Sequence, residues 1–153
     1  MSTESTARSF FAQHSFAVVG ASSNPAKYGY KIFAWYTNHA LPVVPINPGS
    51  PTIAVEGAEY DTKPSLSALQ DPKNTGVSII TPPKVTMKLL KEARELGIPA
   101  VWMQPGSFDD EVESWARGEG GFGSVVAGDG GMGGEGWCVL VDGEKALRGL
   151  GKL

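Results

Sequence analysis

The chain carries one cysteine and two histidines among its 153 residues, and it has no run of lysine or arginine. A single thiol, Cys138, cannot close an intrachain disulfide or build a cysteine-based metal site, so the sequence reads as a protein of a reducing compartment. His14 and His39 lie far apart in the chain, no set of transition-metal ligands has workable spacing, and no metal is expected. The net charge of −3 comes without a basic cluster, which makes a nucleic acid backbone or an anionic membrane surface a poor partner. No apolar stretch approaches the roughly 20 residues that cross a bilayer. Met1 to Arg8 is rich in Ser and Thr but carries Glu4 and lacks an apolar stretch, so it does not read as a secretory signal; the cytoplasm is the expected compartment.

What is present describes a folded domain. Hydrophobic residues make up 41% and charged residues 19%, a globular rather than a disordered balance. A chain of this size buries about two thirds of its unfolded surface. The expectation is one domain over residues 1–153, with 1–14 as an N-terminal extension.

Apolar runs of strand length alternate with amphipathic stretches. Ser15 to Gly20 reads as a first buried strand ending in a tight turn, and Gly29 to His39, before the breaker Pro42, as a helix. Val43 to Ile46 predicts a second strand, Thr52 to Val55 a short third one, and Ser65 to Leu69 a helical turn after the irregular Glu56 to Pro64. Gly76 to Thr81 predicts another buried strand, with Thr81 as N-cap and two prolines opening a helix. That helix places Val85, Leu89, Ala93 and Leu96 on one stripe until Gly97 closes it. Ala100 to Gln104 is again strand-like. Ser107 is expected to cap a helix with Asp109, Asp110 and Glu111 in its first turn and Val112, Trp115 and Ala116 facing inward.

Such alternation predicts an α/β fold: a three-layer, Rossmann-like domain with a mostly parallel sheet of about five strands. Val18, Val19, Val44, Ile46, Ile79, Ile80, Val101 and Met103 form the expected core. Gly118 to Gly136 departs from the pattern, with ten glycines in nineteen positions around the apolar Ser124 to Ala127. It reads as a mobile surface loop or as backbone shaped to approach a ligand or another subunit, the loop being favoured. Trp137 to Val141 is expected to supply a last strand.

In an open parallel sheet ligands bind at the carboxyl ends of the strands. The loops there run Gly20-Ala21-Ser22-Ser23-Asn24 on to Lys27 and Tyr28, then Asn47-Pro48, Thr81-Pro82-Pro83, and Gln104-Pro105-Gly106. Small and hydroxyl residues in the first loop leave backbone N–H groups open at a helix N-terminus, and Lys27 adds a positive charge, which together suit a phosphate; a plain strand-to-helix turn is the alternative. A dinucleotide fingerprint would need GxGxxG here and an acid at the end of the second strand. Ser22 stands at the second glycine and Asn47 at the acid, so an ordinary NAD site lacks its ribose anchor. The GK[ST] ending of a P-loop is also missing.

The segments AVVGASSNPAKYG at 17–29, PVVPINP at 42–48, SIITPP at 78–83 and GIPAVWMQPG at 97–106 resemble the small stand-alone CoA-binding domain proteins. Their fold is that of the CoA-binding domain of succinyl-CoA synthetase alpha subunits. The ending GGMGGEGWCVLVDGE at 130–144 is similar to a variant found in fungal members. The resemblance implies CoA held by the first loop, by Asn47-Pro48 and by Thr81-Pro82-Pro83. A rigid Pro-Pro wall suits an adenine ring, while simple helix initiation explains the same prolines. The candidate cofactor-binding set is thus Gly20, Ala21, Ser22, Ser23, Asn24, Lys27, Tyr28, Asn47, Pro48, Thr81, Pro82, Pro83 and Gln104.

No catalytic apparatus assembles from the rest. His14 and His39 fall away from the carboxyl edge, the acids after Ser107 serve a helix dipole, and Cys138 reads as a small buried hydrophobe. The leading expectation is a non-catalytic protein that binds CoA or an acyl-CoA. An NAD(P)-binding oxidoreductase is one alternative. Another is an interaction module that uses exposed aromatics, Trp35 and Tyr36, or the glycine segment; the aromatics also suggest a homodimer.

Overall fold

The computed structural model describes residues 1–152. Its strands are β1 Ser15–Val19, β2 Val43–Ile46, β3 Thr52–Val55, β4 Ala58–Asp61, β5 Thr75–Ile79, β6 Ala100–Met103 and β7 Ser124–Val126. The helices are α1 Glu4–Phe11, α2 Tyr28–Asn38, α3 Pro83–Leu96, α4 Asp110–Arg117 and α5 Val139–Gly149. Five strands form one parallel sheet in the order β2-β1-β5-β6-β7, while β3 and β4 pair as an antiparallel hairpin outside it. Strand order reverses between β2-β1 and β1-β5, which makes the carboxyl end of β1 the topological switch point. Among the described residues no helix is long and apolar enough to cross a membrane.

The fold is α/β and Rossmann-like, with helices on both faces of the sheet. Alternate residues of β1 and β6 send Phe16, Val18, Ala100 and Trp102 to one side and Ala17, Val19, Val101 and Met103 to the other. α1, α2 and α5 cover the first side and α3 with α4 the second. All the strand residues just named are buried, as expected from their apolar runs.

The segment 1–14, expected as an extension, supplies part of this core. Thr3 and Thr6 cap the start of α1 reciprocally, each hydroxyl accepting the other's backbone N–H at 3.2 Å. Phe10 and Phe11 are fully buried, and Phe10 meets Trp102 edge to face at 5.5 Å between centroids. Ser2 closes the end of β7, donating to the Ala127 carbonyl at 2.9 Å and accepting the Ala127 N–H at 2.8 Å.

Other expectations are corrected. Trp35 and Tyr36 are buried, not exposed, because α1 and α5 lie over α2; the argument for self-association from these rings falls away. His39 stacks on Trp35 at 4.1 Å and meets Glu144 at 3.1 Å, holding α2 to α5. Val44 and Ile80 are only half-buried, since β2 is an edge strand and Ile80 follows the end of β5. On α3 the buried positions are Thr86, Leu90 and Ala93, one step round from the expected stripe, with Val85 exposed. Thr81 does not cap that helix: Pro82 holds the N-cap position, and the Thr81 hydroxyl bonds that of Thr86 at 2.8 Å. Asp109, not Ser107, caps α4, accepting the Val112 N–H at 2.9 Å.

The fifth strand comes from inside the glycine-rich segment, as β7, and Trp137 to Val141 is no strand. Instead α5 starts at Val139, and the buried carboxylate of Asp142 accepts the N–H groups of Cys138 at 3.0 Å and Met132 at 2.8 Å. The glycine segment is thus tied to α5 at Met132. Gly136 serves close approach within the chain: a Cβ there would lie 2.6 Å from the Gly128 carbonyl oxygen.

Two measurements check this core. Phe10→Ala is expected to lower unfolding free energy by about 3–5 kcal/mol, read by urea denaturation, because a buried ring leaves a cavity. The Tyr36 hydroxyl is buried at 2.6 Å from that of Ser78, and burial raises its pKa above the ordinary phenol value, opposed in part by that hydrogen bond. The folded state then holds this proton more tightly than the unfolded chain, so stability should be level below about pH 10 and fall above it. Tyr36→Phe should flatten that fall.

Candidate functional site

A cleft of about 510 Å³ opens at the switch point, where the carboxyl ends of β1, β2 and β5 meet the first turns of α2 and α3. Its position follows from backbone geometry. Gly20 turns the chain at φ +100°, and a Cβ there would lie 2.9 Å from the Ile80 carbonyl oxygen. A side chain at Gly29 would overlap the Gly20 carbonyl itself, so α2 begins directly behind the end of β1.

The helix termini at the cleft are bare. α2 has Lys27 as its N-cap and α3 has Pro82, and neither has a side-chain cap hydrogen bond. Their first backbone N–H groups are left for water or a ligand, at the positive ends of two helix dipoles. Lys27 is exposed at the rim. Ile80, Val85 and Leu89 give the opposite wall an apolar character, and Pro64 with Ser65 closes one side.

Of the residues expected from sequence, Gly20, Ala21, Ser22, Lys27, Tyr28, Asn47, Pro48, Thr81 and Pro82 line this cleft together. Several are spoken for by the protein. Asn47 donates its amide to the Ala21 carbonyl at 3.0 Å and accepts the Gly49 N–H at 2.8 Å, so it ties the first loop to β2 where an NAD site would hold an acid. The Ser22 hydroxyl accepts the Asn24 N–H, and the Asn24 side chain accepts that of Ala26.

Ser23, Asn24, Pro83 and Gln104 do not line the cleft. Ser23 instead accepts the Ala54 N–H at 3.0 Å and so anchors the β3-β4 hairpin, while Gln104 is fully buried at the end of β6. Sequence reasoning missed Gly29, Val85, Leu89, Pro64 and Ser65. The two aliphatic residues share the i, i+4 spacing that marked them as core; helix phase alone could not say that this edge of the stripe faces a cavity.

Tyr28 forms a wall of the cleft and its hydroxyl contacts the sulfur of Cys138 at 3.1 Å. Its pKa is raised above the ordinary value, first by burial, then by the Cys138 hydrogen bond and charge and by Glu135. At neutral pH it is a neutral O–H group.

A parallel sheet with a cleft at its switch point, faced by two uncapped helices, defines a Rossmann-like binding domain. The family described as CoA binding domain matches residues 14–135, and the chain belongs to it. Among solved structures, a conserved hypothetical protein from Pyrococcus furiosus is 33% identical with a TM-score of 0.63, over 73% of this chain and 91% of that one. A hypothetical protein from Pyrococcus horikoshii OT3 is 26% identical with a TM-score of 0.75, over 95% and 93%. A Thermus thermophilus protein at 23% identity and a TM-score of 0.74, over 95% and 99%, shares the fold. No curated protein matches the chain.

The close contact at the loop is testable. Gly29→Ala is expected to cost about 1–3 kcal/mol of stability, because a methyl group has no room against the Gly20 carbonyl. Thermal or urea unfolding measures it.

Proposed function

We propose that the chain binds CoA or an acyl-CoA in the switch-point cleft and acts as a binding or regulatory protein rather than an enzyme, with the whole chain working as one domain. The observation that carries this reading is the pairing of two bare helix N-termini and Lys27 with an apolar wall in one cleft, within a member of the CoA binding domain family. Backbone N–H groups and an ammonium suit phosphate groups; Ile80, Val85 and Leu89 suit the less polar arm of the same ligand. Asn47, engaged with Ala21 and Gly49, offers no carboxylate to a ribose, which favours CoA over NAD.

Calorimetric titration with CoA, dephospho-CoA and NAD tests the reading. CoA should bind more tightly than NAD. Lys27→Ala should weaken CoA binding by roughly 1–3 kcal/mol, the scale of a lost charge-assisted hydrogen bond, with little effect on folding because Lys27 is exposed. Equal CoA affinity of both proteins would remove Lys27 from the site, and tighter binding of NAD would overturn the assignment.

A further inference from the structure

Two further depressions, of about 380 and 560 Å³, lie between α3 and α4 and share Lys91, so they form one groove along both helices. Met87 and Trp115, both half-buried, give its floor an apolar character. The two walls carry opposite charge. Lys84, Lys88, Lys91 and Arg94 follow one another on α3 at spacings of four, three and three residues, which sets them in an exposed stripe. Asp109, Asp110, Glu111 and Glu119 stand exposed at the two ends of α4. The basic wall also holds Glu95, and the one cation of α4, Arg117, is taken by Glu113 at 3.0 Å. Among the described residues none of the four cations of the stripe and none of the four acids facing it belongs to an ion pair.

This arrangement discriminates among occupants. The chain is acidic as a whole, with a net charge of −3, so four free cations in a row are a local feature. A uniformly acidic partner is repelled by α4 and a uniformly basic one by α3, whereas a second copy offers both strips together.

We propose that two copies of the chain associate through this face as a two-fold dimer. α3 and α4 follow parallel strands and cover the same side of the sheet, so they run side by side in one direction. A two-fold axis parallel to them lays α3 of each copy on α4 of the other. Lys84 and Lys88 then oppose Asp110 and Glu111, and Lys91 and Arg94 oppose Glu119. Exposed ion pairs contribute little singly, so Met87 and Trp115 supply the apolar contact while the charges set its orientation and its salt dependence. The cleft stays open in such a dimer, because no residue of the groove lines it.

Sedimentation equilibrium of the full-length protein tests this. At low ionic strength the wild type should approach twice the monomer mass as its concentration rises, and raising salt from about 0.05 M to about 0.5 M should weaken association about tenfold or more. The triple variant Lys84→Glu, Lys88→Glu, Lys91→Glu should be monomeric, and so should Asp110→Lys, Glu111→Lys, Glu119→Lys, because like charges then face one another. An equimolar mixture of the two should regain the dimer mass. A wild type that stays monomeric at low salt overturns the inference, as does a dimer that neither salt nor either variant weakens. A mixture that stays monomeric while both variants keep their helical circular dichroism also overturns it. The salt series needs no variant and decides even where a variant fails to fold.

Discussion

The approach of two backbones at the end of β1 governs the rest of the cleft. Gly29 lies against the Gly20 carbonyl, and Gly20 lies against the carbonyl of Ile80 after β5. Neither position has room for a Cβ, so α2 can start immediately behind the sheet edge with its first N–H groups facing the opening. Asn47 then draws the first loop towards β2 through the Ala21 carbonyl, and Ser23 holds the hairpin beside it. Polar side chains that look available to a ligand are in part the fasteners of this geometry. What remains free for binding is mainly backbone, one lysine and an apolar wall.

Behind the cleft, the chain ends do structural work. α1 covers the sheet with Phe10 and Phe11, and α5 packs beside it, so that Trp35 and Tyr36 of α2 lie in a closed aromatic layer. Lys152 near the end of the chain donates to the carbonyl of Phe11 at 2.7 Å. Asp142 joins the same assembly to the glycine segment by taking two backbone N–H groups, which explains how a carboxylate comes to be buried there. Among the described residues the two buried side-chain donors without partners are Gln104 Nε2 and Trp137 Nε1; Gln104 bonds the N–H of Val139, and Trp137 lies two residues before it. Polar satisfaction is thus least complete where the aromatic layer meets the carboxyl edge.

Much of this was legible in the residues. The runs Phe16–Val19 and Ala100–Met103 are apolar without alternation, which only a strand covered on both faces sustains, and Asn47-Pro48 and Thr81-Pro82 mark strand ends by their turn chemistry. The α/β class and most of the cleft follow from those local signals. The sequence alone also gave the missing acid at Asn47, an identity that needs no coordinates. Less was legible where a residue's role depends on a distant partner. Ser124–Val126, short and surrounded by glycine, becomes a strand because β6 offers it hydrogen bonds. Trp137 to Val141 has strand-like composition but turns helical from Val139 because Asp142 and Gln104 satisfy the opening N–H groups of Cys138 and Val139.

The sequence by itself determined the α/β class, the order of elements from β1 to α4 apart from β4, the glycine-turned first loop and the absence of an acid after β2. These rest on neighbouring residues, whose steric limits and hydrogen bonds act within a few positions. Tertiary structure alone decided that Trp35 and Tyr36 are interior, that Ser23 and Asn47 are fasteners, that Val85 and Leu89 face a cleft and that Cys138 meets Tyr28. Each of those depends on a contact between parts of the chain brought together only by the fold, for which periodicity along the sequence holds no record.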